Sequence, residues 1–265
     1  MANGMLIDYH THTAASPDGK GRMEEYVRAA AGKSLAEIGF SDHVEFSSLL
    51  NSRNPLADRM SEYVSRFQEL REKAKPPIKL GVELGFFPDN VERIRQFSRE
   101  HPFDYVIGAV HEIEGWTVDN PAEIEEYSRR DTAQVYEQYF ALVRQLCKTR
   151  MFDIVAHPDL IKIFGFKPAA DYTEILVETA EAMVKADVCA EINTKGLVRP
   201  CREAYPSPRF LGILHDYGVP IVFGSDAHEP SEVGRRFEDA VKLAMKAGYT
   251  HSCVFKRRER SLVEL

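Results

Sequence analysis

Seven times along this chain a short run rich in Val, Ile and Phe breaks off into a histidine or an acidic residue, and a segment of helical period follows. The apolar runs lie near 5–9, 36–41, 78–84, 104–110, 152–156, 187–192 and 219–224. The helical patterns lie near 22–32, 57–75, 88–100, 122–149, 172–186, 207–217 and 231–247. Buried strands alternating with helices form a parallel sheet with helical crossovers. Asp171 and Ser231 stand where helices would be N-capped, and Gly218 and Gly248 where helices would stop. No Pro/Ser linker, repeat or shift of composition cuts the 265 residues into domains. The expectation is therefore a single α/β barrel of about seven βα units over 1–265, with an open doubly wound sheet as the other arrangement the pattern allows.

In a parallel barrel the carboxyl ends of all strands meet on one rim, where active sites are built. The chain's nine histidines sort by that criterion. Six stand at strand exits: His10 and His12 in "DYHTHT", His43 in "SDHVEF", His111 in "AVHEIEGW", His157 in "AHPDL" and His228 in "GSDAHEP". His10 and His12, two apart on a strand, point to the same side. His101, His215 and His251 lie off the rim and read as packed or surface histidines. Glu83, Asp226 and, through a Ser-Pro-Asp-Gly turn, Asp18 join the same rim. Convergent imidazoles and carboxylates without a thiolate suit divalent transition ions such as zinc, iron or manganese.

Six imidazoles and three carboxylates exceed what one ion can use, so two or three ions are expected, with Glu83 bridging a pair. Three divalent ions against these carboxylates leave roughly +3 on the pocket. That charge suits a phosphate group and lowers the pKa of a bound water. The chain as a whole carries −7 at a pI of about 5.8, so its surface does not solicit nucleic acid or anionic lipid. No apolar run has spanning length, the opening "MANGMLIDYH" lacks the pattern of a signal peptide, and the four cysteines are scattered without a C-x-x-C. A cytoplasmic protein with reduced thiols is expected, its oligomeric state left open.

The segments "DYHTHT…SPD", "SDH", "GVELGF", "AVHEIEGW", "AHPDLIKIFG", "EINTKGLVRP…YPSP" and "FGSDAH", in this order, resemble the histidinol-phosphatase branch of the polymerase and histidinol phosphatase (PHP) family. The resemblance spans Asp8 to about Gly234. It implies a distorted (β/α)7 barrel with a trinuclear site. One ion would take His10, His12, Glu83 and Asp226; a second would share Glu83 and add His111 and His157; a third would take Asp18, His43 and His228. The implied reaction is hydrolysis of L-histidinol phosphate, in histidine biosynthesis, by a metal-bridging hydroxide held by Glu83, His111 and Asp226. "VHEIEG" departs from the family pattern, which has Phe-Ile-Asp after the histidine.

Selectivity must come from groups around the ions, because ions recognise only the phosphate. Lys162, Lys195, Arg199 and Arg202 follow strand exits and are candidates for phosphate contacts. Histidinol's amine and imidazole call for carboxylates and an aromatic wall. The loop "HEIEGWTVDN" supplies Glu112, Glu114, Trp116 and Asp119. Other PHP specificities, for phosphotyrosine or a small phosphorylated metabolite, are the alternative. A metal-dependent amidohydrolase also opens with HxH but would carry a bridging lysine late in its fourth strand, where this chain has His111.

Overall fold

The computed structural model describes residues 5–46 and 56–265. Its first half runs β1 (Ile7–Asp8), α1 (Met23–Gly32), β2 (Glu37–Phe40), β3 (His43–Val44), α2 (Met60–Arg71), β4 (Ile78–Leu80), β5 (Glu83–Gly85), α3 (Val91–Glu100) and β6 (Ile107–Ala109). A small hairpin, β7 (Glu112–Ile113) and β8 (Trp116–Thr117), then leads to α4 (Glu126–Arg129) and α5 (Thr132–Lys148). The second half continues β9 (Ile154–Val155), α6 (Thr173–Ala186), β10 (Cys189–Asn193), α7 (Pro208–Asp216), β11 (Ile221–Gly224) and α8 (Phe237–Ala247). It ends in the antiparallel hairpin β12 (His251–Lys256) and β13 (Glu259–Glu264).

Among the described residues every strand-to-strand pairing outside the two hairpins is parallel, in sheets ordered β1-β2-β4 and β11-β10-β9-β6-β5-β3. β2 and β3 are two pieces of one strand path, as are β4 and β5, and the sheets run into each other across these breaks. There Gly81 N–H donates to Phe40 C=O at 2.7 Å and Glu83 N–H to Ser41 C=O at 3.2 Å. At the other margin Tyr9 N–H donates to Phe223 C=O at 3.2 Å, and Thr11 bridges to Ala227. Seven strand paths thus follow one another in a ring, with the helices outside: the distorted barrel the sequence led one to expect.

Packing explains the breaks. The Tyr105 ring lies inside the barrel against Gly39 and Gly81; a Cβ on Gly81 would come within 2.3 Å of it. Its hydroxyl donates to Tyr9 C=O at 2.7 Å. With Tyr9, Ile154, Val222 and Phe255 it forms a second apolar core, distinct from the larger core between strands and helices. The β12–β13 hairpin covers this floor, and Lys79 Nζ donates to Phe255 C=O at 2.6 Å.

Several boundaries differ from expectation. The pattern over 122–149 is broken into α4 and α5, because Asp131 caps α5 by accepting from Gln134 N–H at 3.0 Å. Ser231 does not cap a helix: it lies in a single 3-10 turn, and α8 starts only at Phe237, after Arg236 in left-handed conformation. Asp171 accepts from Thr173 N–H at 3.2 Å but lies one residue before the cap position, Tyr172. Gly248 does end α8, at φ 108°, and Gly218 follows α7 at φ 77°. The hairpins β7–β8 and β12–β13 had no counterpart in the sequence reading. Among the described residues no helix is long and apolar enough to cross a membrane.

Candidate metal centre

Four strand paths deliver a polar residue at the same offset: His10, His111, His157 and Asp226 each lie two residues past β1, β6, β9 and β11. His12 is two further along, and His43 opens β3 in register with Glu83 at the start of β5. His157 and Asp226 hold left-handed backbones, φ 25° and 53°. Such conformations cost about 1–3 kcal/mol at a non-glycine residue and persist where surrounding contacts over-determine them. Here His157 N–H is pinned to Glu191 Oε2 at 2.8 Å.

Glu83 is fully buried, and its two oxygens divide the imidazoles between them. Oε2 faces His10 Nε2 at 3.2 Å, His12 Nε2 at 3.4 Å and His43 Nδ1 at 2.8 Å. Oε1 faces His157 Nε2 at 3.1 Å and His111 Nε2 at 3.5 Å. Asp226 Oδ1 lies 3.6 Å from His12 Nε2 and 3.4 Å from His228 Nδ1. Asp18, on its turn, reaches His228 Nε2 at 2.8 Å and His43 Nε2 at 3.9 Å. All nine residues expected to ligate metal thus meet in one cluster. Donor atoms lie within 4.8 Å of one another in His10–His12–Glu83, Glu83–His111–His157, His10–His157–Asp226 and His12–His43–His228. The last set differs from the expected grouping, since it joins His12 rather than Asp18 to His43 and His228.

The electrostatics favour a cation. Burial holds His12 well below its ordinary pKa, with His43 and His228 beside it adding to the effect, so one ring nitrogen keeps a lone pair for a cation. Glu83 is held well below the usual carboxylate range: burial opposes this, but the charges of His10 and His43 outweigh it. Asp226 is likewise depressed against burial, by Lys195 and His10. His111 is drawn upward, the hydrogen bonds to Glu45 and Glu83 and the charges of Glu83 and Asp119 exceeding the opposing effect of burial. Among the described residues, His10 Nε2, His12 Nε2, His43 Nδ1 and Glu83 Oε2 are buried without a well-directed hydrogen bond, although Glu83 Oε2 lies close to each of the three nitrogens. Orphaned buried atoms of this kind cost about 1–3 kcal/mol each unless something engages them. A divalent ion bound by nitrogen and oxygen fits that requirement.

Behind these groups stands a set of residues that the sequence left without a role. Glu191 Oε1 meets His10 Nδ1 at 2.6 Å, and Asn193 Nδ2 donates to both Glu191 Oε2 at 3.1 Å and Asp226 Oδ2 at 3.2 Å. A carboxylate on the outer nitrogen of an imidazole fixes which nitrogen faces a metal. The Glu191 side chain occupies the space where a Cβ at position 224 would stand, 1.8 Å from its Oε1, so Gly224 makes room for it. Glu45 meets His111 Nδ1 at 3.1 Å in the same manner. Asp42 accepts from Thr13 N–H, Ser16 Oγ and Tyr63 Oη at 2.6, 2.8 and 2.5 Å, which anchors the loop leading to Asp18. The signal for these was an acidic residue at a strand exit, as in "SDHVEF" and "EIN", but its partner is set by the fold.

The cluster forms the inner end of a cavity of about 390 Å³, whose outer wall includes Asp119, Ile124, Leu160, Phe164, Arg199 and Tyr205. Lys195 lines it too, bonded to Asp226 Oδ1 at 2.9 Å. The other expected substrate contacts lie elsewhere. Lys162 is buried in a pair with Asp159 at 2.7 Å and donates to Ala204 C=O, so its charge is already engaged. Trp116 is buried edge-on against Tyr127 at 4.7 Å, a packing role. Glu114 is exposed, bonded to Gln138, and lines a neighbouring cavity on the α5 side. Arg202 is exposed away from the cavity. His101 packs on Phe97 and His215 on Tyr249, while His251 opens β12 on the floor side; none meets the cluster.

A family profile described as "PHP domain" matches residues 8–195, and one described as "PHP-associated" matches 211–237. The chain is 34% identical over 248 residues to the probable histidinol-phosphatase of Deinococcus radiodurans, covering 92% of this chain and 94% of that one. It is 28% identical to the histidinol-phosphatase of Lactococcus lactis, covering 94% of each. A crystal structure of histidinol phosphate phosphatase from Lactococcus lactis, complexed with zinc, L-histidinol and phosphate, has the same fold. It matches with a TM-score of 0.83 at 24% identity, covering 97% of this chain and 99% of that one.

Proposed function

The chain belongs to the PHP domain family, and from that premise we propose that it is a metal-dependent histidinol-phosphatase, cleaving L-histidinol phosphate to L-histidinol and phosphate in histidine biosynthesis. The observation that carries this reading is the buried Glu83 carboxylate with imidazoles divided between its two oxygens, at the end of a cavity able to hold a small ester. The ligands are taken to be His10, His12, Glu83 and Asp226 for one ion, Glu83, His111 and His157 for a second, and Asp18, His43 and His228 for a third. Two or three zinc, iron or manganese ions are read into this set, whose donors are all nitrogen or oxygen. Bound there, such ions supply a water acidic enough to attack near neutral pH and positive charge for the phosphoryl oxygens.

The protein's own residues prepare that chemistry. Glu83, His111 and Asp226 are the residues that would hold the attacking water between bound ions. Glu191 and Glu45 hold His10 and His111 by their outer nitrogens, which leaves the inner nitrogens aimed at the cluster. Lys195, held on Asp226, and the exposed Arg199 add positive charge to the cavity that would take the phosphate, where stabilisation of developing charge is worth most. The apolar wall of Leu160, Phe164 and Tyr205 limits water around the ester. Residues 1–265 are taken as one PHP-type barrel acting on a small substrate, in the cytoplasm, with no nucleic-acid or membrane partner.

The test is a substrate panel on protein of quantified metal content. The kcat/KM for L-histidinol phosphate is expected to exceed that for phosphotyrosine and other phosphorylated metabolites by about a hundredfold or more. Equal rates across the panel would reduce the protein to a PHP phosphoesterase of other specificity.

A further inference from the structure

We propose that Asp119 is the specificity-determining residue of this cavity, pairing with the ammonium group of a phosphate monoester of an amino alcohol. The proposal rests on the phosphatase reading above and deepens it. Four groups in the loop after β6 were candidates for a cationic substrate, and only one of them lines the cavity that ends at the metal cluster. Glu112 and Glu114 line the neighbouring cavity, and Trp116 is buried against Tyr127. Asp119 stands on the wall of the site itself.

Its carboxylate is half-buried, and among the described residues it has no hydrogen-bond or ion-pair partner. That sets it apart from the other carboxylates of the cavity, since Asp18, Glu83 and Asp226 all converge on imidazoles. The stretch that carries it is firmly held. Val118 N–H donates to His111 C=O at 2.8 Å, Tyr127 Oη to Val118 C=O at 2.9 Å, and Asn120 Nδ2 to Glu123 at 2.9 Å. Asp119 is thus an unpaired carboxylate on a firmly held stretch, lining the same cavity as the cluster. A partly desolvated carboxylate without a partner is costly, and a cation that brings donors removes the cost.

The cavity also holds the complementary charge. Arg199 lines it, and among the described residues its guanidinium has no partner. With Lys195 and the cluster at one end and Asp119 on the wall, the cavity offers positive charge for a phosphate and a separate negative charge for an amine. The apolar surfaces of Ile124, Leu160 and Phe164 leave room for the carbon frame or ring between them. Phosphate esters without an amine satisfy only the first of these demands.

The experiment compares wild type, Asp119→Asn and Asp119→Glu, all metal-loaded, on L-histidinol phosphate and on the same ester lacking its amine. In wild type the aminated ester should be preferred. In Asp119→Asn its kcat/KM should fall about tenfold or more beyond any fall for the amine-free ester, chiefly through KM. The dissociation constant of L-histidinol, measured by calorimetry, should rise to a similar extent, and Asp119→Glu should recover part of both losses. Metal content should stay at the wild-type value. An Asp119→Asn protein that keeps the wild-type preference overturns the proposal while leaving the phosphatase reading intact. Equal loss on both esters, or loss of metal, overturns it in favour of a structural or ligating Asp119. A wild type indifferent to the amine removes the histidinol reading, and this inference with it.

Discussion

Tyr9 and His10 are neighbours in the chain, yet they serve opposite ends of the barrel. Tyr9 goes to the floor, where its ring meets Tyr105 at 4.7 Å and Phe255 at 6.1 Å. Its hydroxyl donates to Glu37 at 2.5 Å and accepts from Phe255 N–H at 3.1 Å. His10 goes to the rim and is buried just as deeply, but its Nε2 has no hydrogen-bond partner. Five of the twelve orphaned buried side-chain atoms found among the described residues belong to His10, His12, His43, Glu83 and His157. The Tyr9 hydroxyl on the floor is thus paired on both sides, whereas the rim leaves donor atoms open to ions at a cost in stability. Breaking local rules at the functional end is what consistency elsewhere in a fold permits.

The comparison can be broken most severely at Glu83. Glu83→Ala should lower turnover about a thousandfold or more and reduce bound metal, with the far-ultraviolet circular dichroism preserved. A fully active variant would remove the bridging role. At the floor the converse is expected. Phe255→Ala should destabilise the protein by about 3–5 kcal/mol in denaturant titration, while metal per folded chain stays near the wild-type value. Parallel loss of metal there would mean that the two ends are not separable.

Glu191→Gln sharpens the contrast within the rim. It keeps the shape but alters what meets His10 Nδ1, so metal affinity should fall about 10–100-fold, read by competition with a chelator. Unaltered affinity would make Glu191 a packing residue only. The smallest effect belongs to His215→Ala, which should leave turnover and metal content within error and stability within about 1 kcal/mol.

The seven strand paths were legible because buried parallel strands and helices differ in period, and that ordering gathers the rim histidines and carboxylates. The hairpin under the floor was not. Its turn is Arg257–Arg258, both in left-handed conformation (φ 51° and 69°), where Asn-Gly would be the usual signal. Asp104, distant in sequence, supplies the missing preference by accepting from Arg257 N–H at 3.2 Å and, through its carbonyl, from Arg258 N–H at 2.8 Å. The ligand candidates were readable from their position past each strand. Contacts such as Lys162, Glu114 and Trp116 were not, because side chains in loops take their direction from tertiary packing. The hairpin β7–β8 turns Glu114 outward and Trp116 inward within two residues.

The fit of Glu191 into the space left by Gly224 has a consequence for how such a sequence can drift. A methyl group at 224 would strike the carboxylate that orients His10, so a change there demands a simultaneous change on the neighbouring strand β10. A shorter acid at 191 would make room but withdraw from His10, and the amide of Asn193, shared with Asp226, would lose its other acceptor. Positions 191, 193 and 224 therefore behave as a single heritable unit. Lineages can be expected to cross between alternatives there only through weakly active intermediates, and a chain that has given up one member gains little by retaining the others.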